Sequence, residues 1–357
     1  MKTKFKISEF SRALKLCFNA IDTKDPVRSN IKFDAEGEDV RIMATNGQYS
    51  VEVVCPSNVE EEGVAIVDGK MAYNVISKAS GECTLTSDEK SMVINTSGRT
   101  KLPNMERDLP MIEDCTGKQV SFDSVAFRSA INKVAYAIGE DQSRLILTGA
   151  HIVTDGSKAV ITSLDGFRLA QTDIICEGDN IDIVVPTKIL LAICDAVTSG
   201  SLILSTNGSH ITVKGESFTI NAITLSGDYI DTSRIIPTDF AIKVLTKTSD
   251  LKDCLDSATV ASGTTNLVKL DISNDRITVK SNSEEADFQG DISALVNGND
   301  IVIAFNLKYL IHAINHIETE QCELCFNTQV SPVVIFPKSD DDNHEEHLIL
   351  PVRIFGN

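Results

Sequence analysis

Three groups of residues have types and spacings that could do chemistry. Cys322 and Cys325 form a C-x-x-C, the spacing of a redox pair or of half a zinc site. They sit in Cys322-Glu323-Leu324-Cys325-Phe326, which reads as a strand, and no second C-x-x-C completes four ligands. His312 and His316 stand at i and i+4 on a helix-like stretch, which is zinc-ligand spacing. Ala313-Ile314-Asn315 lies between them, so the glutamate that a zinc protease places there is missing. Asp340, Asp341 and Asp342, with Glu345 and Glu346, could hold a cation but read as a solvated acidic loop. The chain has no G-x-G-x-x-G, no phosphate-binding P-loop and no G-x-S-x-G. Catalysis is therefore not expected, and neither is a metal or a cofactor.

The elements around these residues repeat. A strand running into an amphipathic helix is written three times: Ile66-Val67-Asp68-Gly69-Lys70-Met71, Val184-Val185-Pro186-Thr187-Lys188-Ile189 and Ile303-Ala304-Phe305-Asn306-Leu307-Lys308. Successive copies lie about a third of the 357 residues apart. A second helix recurs over 8–20, 124–138 and 249–262. A period this long is a domain rather than a solenoid unit, which runs roughly 20–50 residues. Between the helices come short β-branched runs such as Val40-Arg41-Ile42-Met43-Ala44, Ala159-Val160-Ile161-Thr162 and Arg276-Ile277-Thr278-Val279-Lys280. Asn46-Gly47, Asn207-Gly208, Asp155-Gly156 and Asp165-Gly166 are hairpin signals. The expectation is an α+β chain of three similar domains, 1–118, 119–238 and 239–357, each built from two βαβββ halves. No Pro- or Gly-rich linker separates them. Apolar stripes at Phe10, Leu14 and Cys17, at Phe127, Ile131, Val134 and Ile138, and at Leu307, Leu310, Ile311 and Ile314 give each helix a core face. Arg12, Lys15 and Asn19 fall on the opposite face of the first.

Composition fits a water-soluble globular chain, with 42% hydrophobic and 24% charged residues. No apolar run is long enough to span a membrane. The start, Met1-Lys2-Thr3-Lys4-Phe5-Lys6-Ile7, has no apolar segment behind its basic residues, so a cytoplasmic location and no membrane partner are expected. Nine cysteines, an odd number in no framework spacing, read as reduced thiols. The net charge is −18, which by itself argues against nucleic acid. The helical segments taken together are nevertheless slightly positive, although 249–262 is acidic, and the acids cluster in loop-like runs such as Glu60-Glu61-Glu62. A mildly positive lining could face phosphates if the helices shared one surface.

In this setting the chain resembles the bacterial DNA polymerase III β subunit, the sliding-clamp family, over essentially its whole length. The most specific stretches are Arg144-Leu145-Ile146-Leu147-Thr148-Gly149 and Thr162-Ser163-Leu164-Asp165-Gly166-Phe167-Arg168-Leu169-Ala170. Asp231-Thr232-Ser233-Arg234-Ile235-Ile236-Pro237, Phe305-Asn306-Leu307-Lys308-Tyr309-Leu310 and Leu348-Ile349-Leu350-Pro351-Val352-Arg353 follow in the family's order. The resemblance implies a head-to-tail homodimeric ring of six similar domains, helices inside and sheets outside, through which duplex DNA passes without sequence-specific contact. It implies a tether for the replicative polymerase, loaded by an ATP-dependent clamp loader and visited by repair and replication factors.

A peptide-binding cleft between the second and third domains is implied at Leu147, Leu164, Gly166, Phe167, Arg168, Leu169, Arg234, Ile235, Asn306, Tyr309, Val330, Leu348, Leu350, Pro351, Val352 and Arg353. DNA-facing charges are placed at Lys24, Arg28, Lys70, Arg128, Lys133, Arg144 and Lys188, and the ring interface near Leu102 on one edge and Thr259 and Val260 on the other. Leu164 replaces a usual Thr, Ile230 stands where Pro is common, and 355–357 run past the usual end. The alternative is a clamp-like scaffold that keeps the cleft but does not encircle DNA.

Overall fold

A computed structural model of the chain describes residues 1–338 and 344–353. The acidic triplet Asp340, Asp341 and Asp342 and the tail 355–357 lie outside the described residues. Among the described residues the order strand, helix, three strands occurs six times, with one added short strand, Asn58–Glu61. The helices are α1 (Ile7–Asn19), α2 (Gly69–Ser77), α3 (Ser124–Val134), α4 (Thr187–Ala196), α5 (Thr248–Ala258) and α6 (Leu307–Asn315).

Two of the helices expected from the sequence end early. The 124–138 segment tightens into a 3₁₀ turn at Ala135–Ala137, and 249–262 does the same at Thr259–Ala261. The four NG and DG pairs each close a hairpin, with Gly47, Gly156, Gly166 and Gly208 at φ between 85° and 96°. Gly47 and Gly166 carry a further constraint. A Cβ at either would lie 3.0 Å from an arginine guanidinium, that of Arg28 or Arg144 respectively, so two turns a third of the chain apart are packed alike.

The apolar stripes are buried as their period requires: Phe10, Leu14, Cys17, Phe127 and Ile131 are fully enclosed. Arg12 is more than a solvated residue on the far face of α1. Its Nε and Nη2 donate to the carbonyls of Asp195 and Val197, 2.8 and 2.6 Å away, satisfying acceptors that α4 leaves open at its C-terminus.

The chain forms two compact units. The first comprises Met1–Arg128, Thr154–Ser157 and Ile175–Ser226; the second comprises Ser129–Val153, Lys158–Ile174 and the chain from Gly227 onward. Each mixes residues from neighbouring thirds, because the β-ladders run on from one third into the next. In the first unit Tyr49–Pro56 pairs antiparallel with Phe218–Ile223, Val51 facing Ile220. In the second, residues 168–172 pair antiparallel with Glu345–Ile349, Leu169 facing Leu348. The second unit's main core joins Leu251 and Leu255 of α5, Leu307, Leu310 and Ile314 of α6, and Phe305, Phe326 and Ile335 from the strands.

All nine cysteines are free. Burial pushes the Cys322 thiol up to about 11 and that of Cys325 to about 12, so neither is a thiolate near neutrality. The C-x-x-C packs as part of its strand.

Phe10 lies fully buried with its ring 3.5 Å from that of Phe5. Phe10→Ala is expected to destabilise the fold by about 3–5 kcal/mol through lost transfer energy and the cavity left behind. The shift of the urea midpoint measures it; a loss under about 1 kcal/mol would show that the site collapses freely.

Candidate functional site

The second unit holds a cleft of about 330 Å³ lined by Ile138, Gly139, Glu140, Asp141, Arg144, Leu147, Asp165, Phe167, Arg168 and Tyr309. Local chemistry fixes its walls. The Asp165 carboxylate accepts from the backbone N–H groups of Phe167 and Arg168 (2.8 and 3.0 Å), an Asx turn that Gly166 completes at φ 94°. Its second oxygen accepts from Arg168 Nε at 2.9 Å, so one aspartate shapes the turn and aims the arginine. Asn306 caps α6 by accepting from Lys308 N–H at 3.0 Å. One turn further on, Tyr309 lies with its ring 6.2 Å from that of Phe167. Gly139 N–H donates to the Leu147 carbonyl at 2.9 Å and ties the opposite wall together.

Under the cleft is an apolar floor. Leu147, Leu164, Leu169, Val334 and Leu348 form a buried cluster, with Ile146, Tyr229, Ile236, Phe240 and Phe336 packed against it. Leu147 belongs to both cleft and floor. The segment after Leu348 runs along the site, where Leu350 N–H donates to the Phe167 carbonyl and Val352 N–H to that of Ala304, at 2.9 and 2.8 Å. Phe167 is 59% exposed and Leu350 39%, an apolar rim open to solvent.

Arg168 is held in place from several sides. Its guanidinium carbon lies over the Tyr309 ring at 4.7 Å and over the Tyr136 ring at 5.4 Å. Nη1 bonds His312 Nδ1 at 2.7 Å. The Tyr136 hydroxyl meets His347 Nδ1 at 2.9 Å, His347 Nε2 meets Glu345 at 3.0 Å, and Lys133 Nζ bridges to Glu345 at 2.6 Å. Burial works against ionising Glu345. The hydrogen bonds from His347 and Lys133 outweigh it and hold the carboxyl below the usual carboxylate range.

The structure thus brings Leu147, Leu164, Gly166, Phe167, Arg168, Leu169, Tyr309, Leu348 and Leu350 to one place, with Asn306 and Val352 as supports. Arg234, Ile235, Val330 and Arg353 are not among the residues lining the cleft. Arg234 is instead exposed and ion-paired with Asp231 at 3.1 Å. Pro351 continues the tail between Leu350 and Val352.

Of the seven basic positions, Arg144 lines the cleft and Lys133 is engaged by Glu345. Arg28 lies 3.8 Å from Asp25, and Lys24, Lys70, Arg128 and Lys188 are exposed. Leu102 is buried within its own unit on the outermost strand of a five-stranded sheet, whereas Thr259 and Val260 are exposed, Val260 by 81%. Sequence reasoning missed Tyr136, His312, Asp165 and the floor aromatics Tyr229 and Phe240. Asp165 had a signal in its DG turn; the others stand next to Arg168 and the leucines only through the fold. His316 Nδ1 donates to the His312 carbonyl at 2.7 Å, while His312 Nδ1 faces Arg168.

Comparison with known proteins adds to this geometry. The sequence profile of the DNA polymerase III beta subunit central domain matches residues 121–231, and that of its C-terminal domain matches 233–353. The beta sliding clamp of Streptococcus pneumoniae is 27% identical, the alignment covering 96% of this chain and 97% of that one. The beta sliding clamp of Staphylococcus epidermidis is 26% identical, covering 92% and 93%. Among solved structures, the beta subunit from the DNA polymerase of Streptococcus pyogenes superposes with a TM-score of 0.91 at 25% identity, over 99% of this chain and all of that one (100%). The DNA polymerase III beta subunit of Thermotoga maritima gives 0.90 at 21%, over 99% of each.

Lys133→Met leaves the buried Glu345 carboxylate without its cation and is expected to cost about 2–4 kcal/mol near neutrality. Because the folded Glu345 carboxyl ionises below its unfolded value, this stabilisation is full above the ordinary carboxylate range and is lost as pH falls through the folded value. The deficit of the variant should therefore shrink on acidification; urea midpoints that differ equally at neutral and acid pH would contradict the pairing.

Proposed function

The chain belongs to the DNA polymerase III β-subunit family, and we propose that it works as a sliding clamp, a non-catalytic processivity factor that holds a DNA polymerase on its template. The observation that carries this is the full-length match to beta sliding clamps together with six βαβββ units in one chain. In this reading three domains, 1–118, 119–238 and 239–357, pair head to tail with those of a second copy. The resulting ring encircles duplex DNA in the cytoplasm. Edges near Leu102 and near Thr259 and Val260 would meet across the interface. The two βαβββ sets of each domain would turn their helices toward the hole.

The cleft of the second unit is the tethering site. An apolar leucine floor, an aromatic rim and one oriented arginine suit a short peptide that carries apolar anchors and an acceptor oxygen. The replicative polymerase, the ATP-dependent clamp loader and repair factors would use it in turn. Arg168→Ala, or truncation at Leu350 and Pro351, should weaken such peptides by about 1–3 kcal/mol while leaving the particle mass unchanged. Peptide titration with unaltered affinity in every variant would remove the site from consideration.

Encirclement predicts a topological bond. Loaded protein should remain on nicked circular DNA and slide off once that DNA is linearised. It should also survive roughly molar salt, where a Debye length of about 3 Å screens phosphate contacts. Equal retention on circular and linear DNA would favour the scaffold alternative.

A further inference from the structure

We propose that His312 is the positioning residue of the cleft: its unprotonated Nδ1 holds the Arg168 guanidinium in the orientation that receives a peptide acceptor oxygen, so peptide binding weakens as His312 takes up a proton. The proposal rests on the cleft being a peptide site.

The geometry leaves one assignment of the proton. Arginine has donors only, so the 2.7 Å contact from Nη1 requires a lone pair on His312 Nδ1 and places the ring proton on Nε2. Asp165 takes Nε at 2.9 Å, and the Tyr309 and Tyr136 rings hold the guanidinium face. Nη2 has no hydrogen-bond partner among the described residues, and in the proposal it is the donor that a bound chain takes. Asp165 and His312 together fix the rotation of a side chain that would otherwise turn freely about its last bonds. Protonated, His312 would present an N–H to an N–H at the same distance, one cation against another.

The groups that face the imidazole come from every packed element. Arg168 stands on its strand and Asp165 on the turn before it. Lys308 is on α6 and His316 caps its C-terminus, while Tyr136 is on the 3₁₀ turn, stacked on His316 at 4.6 Å and backed by His347 and Glu345. Burial first, then Arg168, His316 and Lys308, lower the basicity of His312 below that of a free imidazole. The neutral form is therefore the one present near neutrality, and the change falls on the acid side.

The test is fluorescence anisotropy of the full chain with a labelled peptide that places one aspartate beside two large apolar residues, the acceptor and anchors the cleft calls for, from about pH 8 to about pH 5 at fixed ionic strength. The parent should bind with level affinity at the upper end and lose about ten-fold toward the lower, the scale of one charge-assisted hydrogen bond. His312→Asn, a neutral acceptor that does not titrate, should bind with a flat profile, and His316→Asn should keep the parent's slope. A parent profile that is flat, a slope that survives in His312→Asn, or one that vanishes in His316→Asn overturns the proposal. Failure of the peptide to bind at any pH tells against the cleft reading instead. The ¹⁵N shifts of histidine-labelled protein then decide the positioning role separately, since a proton on His312 Nδ1 near neutral pH contradicts it outright.

Discussion

The site depends on one ladder. Residues 168–172 lie antiparallel to Glu345–Ile349, and the next hydrogen bond, from Leu350 N–H to the Phe167 carbonyl, carries the pairing into the turn that bears Arg168. Two segments far apart in sequence thereby become a single wall. Register matters because side chains alternate across a strand. With Leu169 opposite Leu348, both leucines point into the floor beside Leu147 and Leu164. A slip of one residue would turn His347, which is fully buried, toward a face with no partner for it, and would lift Leu348 out of the floor.

Polar groups on the same strand make that register specific. Glu345, Glu346 and His347 follow one another, all nearly or fully buried. Each has a partner: Lys133 and His347 for Glu345, His344 and Gln171 for Glu346, and Tyr136 for His347. Buried pairs of this kind add little net stability over apolar packing, yet breaking one is costly because the other charge is stranded. They act against wrong pairings more than they strengthen the right one. Tyr136 gives the network a route to function, since its ring faces both the buried His347 and the Arg168 guanidinium.

The architecture was legible because it is periodic. Stripes such as Phe127, Ile131 and Val134, and turn pairs such as Asn46-Gly47 and Asp165-Gly166, state local rules that the fold obeys, so element type and order could be read directly. The two shortened helices show the limit. Apolar spacing continues through Ile138, but Ala135–Ala137 tightens to set Tyr136 against His347, a demand that comes from the far end of the chain. The cleft was legible in part for the same reason. Leucines and Arg168 could be placed by their register with a known pattern. The partnership of Arg168 with His312, 144 residues away, leaves no mark in either local sequence. His312 looked like half of a zinc pair because spacing on a helix says which residues share a face, not what lies across from them.

Charge shows the same difference between a residue's type and its role. Seven basic residues were assigned to DNA from sequence, and three of them have partners within the fold. Lys133 neutralises a buried carboxylate, Arg144 packs on the Gly166 turn at the cleft, and Arg28 packs on the equivalent Gly47 turn beside Asp25. Lys24, Lys70, Arg128 and Lys188 form no ion pair among the described residues. Set against a net charge of −18, these four of the seven assigned positions are a weak basis for holding duplex DNA by counterion release alone. In the proposed ring, charge this sparse would leave retention to closure rather than to phosphate contacts, and would favour movement along DNA over residence at one place.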